Sequence, residues 1–89
     1  MPKISKQKIQ KIKEQILFYL YSTFPNQPFT SDIATELARD EEFIKIQLIE
    51  LEKEKLIIKI NRNPEGVVYL RRLRWRISNK VHEAYSENQ

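Results

Sequence analysis

This sequence predicts an α+β fold that is mainly helix: three helices, a two-stranded hairpin and a short last helix. Three observations predict it. Apolar residues recur at three- and four-residue spacing through 5–23 and again through 31–55, as in helices with one buried face. Between 56 and 77 the period falls to two, as in strands with one wet face. Short runs containing Pro, Asn, Asp and Ser separate these stretches, and such runs end, turn or cap elements.

The first helix is expected over 5–23. Ile9, Ile12, Ile16 and Leu20 form its apolar stripe, Leu17 widens it, and Lys6, Lys8, Lys11 and Lys13 occupy the other faces. Pro25 and Pro28 then stop it, because neither can continue a helix. A second helix is expected over 31–38, with Thr30 or Ser31 as its cap and Ile33, Ala34 and Leu37 inward. A turn at 38–40 leads to a third helix over 41–55, capped by Asp40. Its inward residues are Ile44, Leu48 and Leu51, with Phe43 or Gln47 at the margin.

The run 56–62 is rich in β-branched residues and reads as a strand. Pro64 and Gly66 take the second and fourth places of a type I turn. A return strand follows over 67–77. From Arg71 onward its side chains alternate: Leu73, Trp75 and Ile77 on one face, Arg72, Arg74 and Arg76 on the other. The three guanidiniums then stand about 6.7 Å apart. Trp75 shares parity with Leu73 and Ile77, which places it in the core rather than on a nucleic-acid base. Tyr19, Tyr21, Phe18, Phe24 and Phe29 read as core or rim. Ser78 caps a last helix reaching about residue 85, with a frayed tail at 86–89.

The 89 residues suit one domain, 1–89, with a core at about 5–85. There is no cysteine, hence no disulfide and no thiolate metal site, which fits a cytoplasmic location. No apolar run reaches the roughly 20 residues of a membrane span. Gly66 is the only glycine, so glycine-rich phosphate loops are excluded. The formal net charge is +4, and its distribution is uneven. Residues 1–29 carry five lysines and one glutamate, residues 30–54 three basic and eight acidic groups, and residues 55–77 seven basic groups and one glutamate. Two basic blocks flank an acidic one.

The run Ile33-Ala34-Thr35-Glu36-Leu37, then Ile44, Leu48, Leu51 and Leu56-Ile57, then a basic hairpin, resembles the winged helix-turn-helix superfamily of DNA-binding domains. The resemblance covers roughly 8–85. It implies a third helix that enters the major groove and a wing that touches phosphate or the minor groove. Carried onto this chain, the groove-facing positions are Glu41, Glu42, Lys45, Ile46 and Ile49, and the wing positions run from Arg62 to Arg72. The third helix starts Asp40-Glu41-Glu42, where such helices more often carry Arg, Lys, Asn, Gln or Ser.

Two functions are weighed. The first is a non-enzymatic, double-stranded DNA-binding transcriptional regulator. Its phosphate clamp would be Arg71, Arg72, Arg74 and Arg76, with Lys59 and Arg62 on the facing strand. Lys45 would contact bases, as would Gln47 if it faces outward, and Lys3 to Lys13 would extend the basic surface. The alternative is a protein–protein interaction module or homodimer, docking through the acidic third helix with Ile46 and Ile49. His82, the only histidine, has no cysteine partner, and no carboxylate pair or nucleophile motif is recognisable. No catalytic, cofactor, metal or small-molecule site is expected.

Overall fold

A computed structural model describes residues 5–60 and 73–87. Among them the chain forms α1 (Lys6–Thr23), α2 (Thr30–Leu37), α3 (Glu41–Lys53), β1 (Ile57–Ile60), β2 (Arg74–Ile77) and α4 (Asn79–Glu87). The order is the one expected. The expected turn at 63–66, the first part of the return strand, Arg62, Arg71 and Arg72 lie outside the described residues.

Helix α1 begins where a cap is available: Ser5 Oγ accepts the Lys8 N–H at 3.2 Å. Ile12, Ile16 and Leu20 are buried along one stripe. Phe18, expected in the core or at its rim, is 60% exposed instead. It lies two residues from Ile16, about 200° around the helix, so it points away from that stripe.

Helix α2 starts one residue earlier than expected, and its cap is Phe29 rather than Thr30 or Ser31. The Phe29 N–H donates back to Asp32 Oδ2 at 3.0 Å. Thr30 has a different task. It is buried, and its hydroxyl accepts the Trp75 indole N–H at 2.8 Å. A side chain from 45 residues away thus takes the oxygen that would have capped the helix.

The α2–α3 turn closes on Ala38, whose φ is +53°. The Ala38 N–H donates to Thr35 O at 3.2 Å and the Arg39 N–H to Ala34 O at 2.9 Å, the paired bonds of a left-handed helix end. Alanine is a poor residue there, because its Cβ crowds the carbonyl that follows. Ala38→Gly is expected to stabilise the fold by about 0.5–1 kcal/mol, the relieved strain outweighing the extra freedom of the unfolded chain. A higher midpoint in urea at unchanged slope would verify it.

Asp40 caps α3 as expected, its Oδ2 accepting the Phe43 N–H at 3.1 Å. Glu41 and Glu42 follow in the first turn, where the positive helix end favours carboxylates. The helix ends at Lys53, two residues short of the expected 55. Lys55 has a φ of +65°, and the N–H groups of Lys55 and Leu56 turn back to Glu52 O and Leu51 O. The buried stripe is Ile44, Gln47, Leu48 and Leu51. Gln47 is therefore inside rather than marginal. Its Oε1 is buried and has no hydrogen-bond partner among the described residues. An unpartnered buried acceptor costs about 1–3 kcal/mol. Gln47→Leu keeps the bulk and removes that cost, so its thermal unfolding is expected at least about 4 °C above the parent.

Strand β2 pairs antiparallel with β1 in the register Ile57↔Ile77, Ile58↔Arg76, Lys59↔Trp75 and Ile60↔Arg74. On its other side β2 meets the residues just before α2. The Trp75 N–H donates to Pro28 O at 3.0 Å and the Thr30 N–H to Leu73 O at 3.2 Å, giving a one-residue bridge between Phe29 and Arg74. Both edges of β2 are thus hydrogen-bonded. Its inward residues Trp75 and Ile77, with Leu73 just before it, join Ile57 and the buried stripes of α1, α2 and α3 in one core.

Ser78 caps α4, its Oγ accepting the Val81 N–H at 3.3 Å. The helix runs to Glu87, so Ser86 is helical and not part of a frayed tail. It seats on the end of α1 through rings: His82 lies 4.2 Å from Phe24 and 5.1 Å from Tyr21 between centroids, and Tyr85 lies 5.3 Å from Tyr21. Among the described residues no helix is long and apolar enough to cross a membrane.

Candidate nucleic-acid interface

Burial of Ile44, Gln47, Leu48 and Leu51 fixes which face of α3 looks outward. Opposite that stripe, at helical spacing, stand Glu42, Ile46, Ile49 and Lys53, all exposed. Lys45 lies beside this outward stripe and is half-buried. Gln47, a base-contact candidate only if it faced outward, faces inward at 4% exposure; packing of the core removes it from the surface. Lys53 was not among the expected site residues, although the spacing from Glu42 through Ile46 and Ile49 points to it.

The acidic character of α3 is also unevenly placed. Glu50 and Glu54 lie on the flank facing α1, where Lys13 Nζ stands 3.4 Å from Glu50 Oε1 and 3.8 Å from Glu54 Oε2. Only 14% of the Lys13 side chain is exposed. These carboxylates are answered on the α1 side, and the outward stripe holds one Glu and one Lys. The same pairing corrects the reading of Lys13 as part of a basic surface. Lys6, Lys8 and Lys11 remain exposed, and Lys3 lies outside the described residues.

On the sheet, Arg74 and Arg76 lie on the face opposite the buried Trp75 and Ile77, as the alternation predicts. Each guanidinium is held without a carboxylate among the described residues. Arg74 Cζ sits 4.3 Å over the Phe29 ring, and its Nη1 donates to Gln27 O at 3.4 Å. A ring face attracts a cation in this position. Arg76 Nη1 donates to Ile77 O at 3.2 Å and to Asn79 Oδ1 at 3.3 Å. Among the described residues those contacts occupy one nitrogen of each group, and a guanidinium has five donors. Both arginines are thus positioned, and among the described residues each has donors to spare. The roles of Gln27 and Phe29 in holding Arg74 had no signal in the sequence, since both lie far from it along the chain; Asn79, only three residues from Arg76, was within reach of sequence reasoning and was missed.

Lys59 does not join the arginines. It is directly opposite Trp75 in the register, and opposed residues of an antiparallel pair share a face. Lys59 is exposed, but on the side of the sheet that carries the core. The residues sharing the Arg74 and Arg76 face of β1 are Ile58 and Ile60.

An open groove of about 720 Å³ lies between α1 and α2, lined by Phe18, Tyr19, Thr23 and Leu37 among others. Burial pushes the Tyr19 phenol above its ordinary value, and the negative charges of Glu36 and Asp32 add to the effect. The Tyr85 phenol is likewise raised, by burial and then by Glu14.

No family model and no curated protein sequence matches the chain. Solved structures do. A MepR mutant from a multidrug-resistant Staphylococcus aureus clinical isolate is similar with a TM-score of 0.70 at 22% identity, over 86% of this chain and 53% of that one. An apo mutant of Lactococcus lactis ZitR is similar with a TM-score of 0.69 at 18% identity, over 92% and 57%. A complex of S. aureus MepR with DNA is similar with a TM-score of 0.67 at 25% identity, over 91% and 68%. MepR is a transcription regulator of the S. aureus multidrug efflux pump MepA. The chain thus spans 53% and 57% of the lengths of the first two. Its three-helix core, its two-stranded sheet, its closing helix and these likenesses give the chain a winged helix-turn-helix fold.

Proposed function

We propose that the chain is a double-stranded DNA-binding transcription regulator that lays α3 in the major groove and contacts phosphates with the arginines of its sheet. The observation that carries this reading is the outward face of α3. The core fixes its orientation, Asp40 caps it, and Lys13 draws two of its carboxylates to the far flank. A helix presented after a short helix and a tight turn is a common way to reach base edges. Arg74 and Arg76 supply cations that no carboxylate neutralises among the described residues, and the likeness to MepR bound to DNA supports the same reading. Arg62, Arg71 and Arg72 would extend the phosphate contact, and Lys45 would approach a base edge or a phosphate from the flank of α3.

The test is an anisotropy titration against a labelled random-sequence duplex at several salt concentrations. Each neutralised phosphate contributes about 0.9 to the log–log slope. The reading predicts a slope of several units. Absence of binding at low salt would overturn it.

A further inference from the structure

We propose that α3 selects thymine through its C5-methyl group, with Ile46 and Ile49 as the contacting residues. The proposal rests on the duplex-binding reading and adds to it which bases are preferred and by what chemistry.

Ile46 is 53% exposed and Ile49 36% exposed. They stand in the middle of the outward stripe, between Glu42 and Lys53, three residues apart. Three residues of helix rise about 4.5 Å, and successive bases of one strand about 3.4 Å, so the two side chains fall over neighbouring base pairs. Neither forms hydrogen bonds. On the base edges of the major groove the apolar group available to them is the thymine methyl. The stripe carries no Asn, Gln or Arg, and its one lysine, Lys53, stands at the end of the helix, a turn beyond Ile49. The charged ends of the stripe are the Glu42 carboxylate, an acceptor suited to cytosine N4, and the Lys53 ammonium, a donor suited to guanine, and the two isoleucines hold the centre between them. The centre of this helix face therefore offers methyl contact, with hydrogen-bonding groups at its two ends.

The alternative occupant is a protein, and the patch is too small for one. The two exposures together amount to less than the surface of one isoleucine, whereas a stable interface covers about 800 Å² on each partner around an apolar centre. Charged Glu42, Lys45 and Lys53 surround the pair. The other exposed large hydrophobic residue among those described, Phe18, belongs to α1 and lines the groove against α2.

The experiment selects binding sites from a random duplex pool with the full chain, then titrates the selected duplex with each thymine in turn replaced by uracil, which lacks only the methyl. The expected result is loss of affinity at two neighbouring positions, about fourfold at each for one buried methyl. Ile46→Ala should abolish the loss at one position and Ile49→Ala at the other, with the salt slope unchanged and the helical circular dichroism retained. A selected duplex that binds steeply with salt yet ignores every uracil replacement would overturn the proposal and leave the duplex-binding reading standing. A pool that yields no bound duplex would overturn both. A chain that sediments as a dimer, and as a monomer after Ile46→Asp, would assign the isoleucines to a protein contact and overturn the proposal.

Discussion

Trp75→Ala is expected to lower the melting temperature by at least about 12 °C. Trp75 is the only tryptophan and has no exposed surface. It sits in the strand whose two edges are both hydrogen-bonded, and its ring packs within the cluster formed by α1, α2, α3 and β1. Removing a buried Trp side chain costs about 3–5 kcal/mol, and a chain of 89 residues has about 4–13 kcal/mol in total. The variant should therefore lie near the edge of folding. Thr30→Val probes the polar part of the same contact. It leaves the indole N–H buried without an acceptor, at about 1–3 kcal/mol, and should change the core volume little. Circular dichroism reads both variants without needing the indole. A Trp75→Ala variant melting within about 5 °C of the parent would show that Trp75 does not hold β2 to the helices; so small a shift means a loss near 1 kcal/mol.

The second large effect is on affinity. Reversing Arg74 and Arg76 together to glutamate is expected to weaken binding to a random-sequence duplex roughly 60-fold or more at 0.1 M salt. Two lost phosphate contacts remove about 1.8 from the log–log slope, and at that salt the same figure is the loss in log affinity. Repulsion from the new carboxylates adds to it. The fold should survive, because both side chains lie on the outer face of β2 and neither has an ion-pair partner among the described residues. Loss of the Phe29 ring contact and of the bonds to Gln27 and Asn79 should cost little by comparison. Unchanged affinity in a folded double variant would remove these arginines from the interface.

Local chemistry made much of the fold legible in the sequence. The α1 stripe, the Asp40 and Ser78 caps and the alternation of Leu73, Trp75 and Ile77 each follow from neighbours within a few residues. What was not legible depends on partners far along the chain. Thr30 looks like a cap by its type, but Trp75 takes its hydroxyl. Lys13 looks like part of a basic face, but Glu50 and Glu54 reach it. Lys59 looks like a companion of the arginines, but its face depends on which residue of β2 it opposes, and one step of register moves a side chain to the other side. Gln47 is a polar residue in the core, where composition argues against it. The Phe29 bridge is too short to leave any periodicity. For the proposed interface, the sequence marked the isoleucines and arginines but not Gln27 and Phe29, which hold Arg74 from far along the chain.

In the proposed complex the outward face of α3 and the outer face of β2 meet the duplex. The most direct measurement is a titration of the isotopically labelled chain with a short duplex, following backbone amide resonances. Shifts are expected at Glu42, Ile46, Ile49 and Lys53 and at Arg74 and Arg76, with Phe18 and Thr23 in the α1–α2 groove unmoved. Shifts confined to that groove, with α3 and β2 unchanged, would contradict the proposed complex.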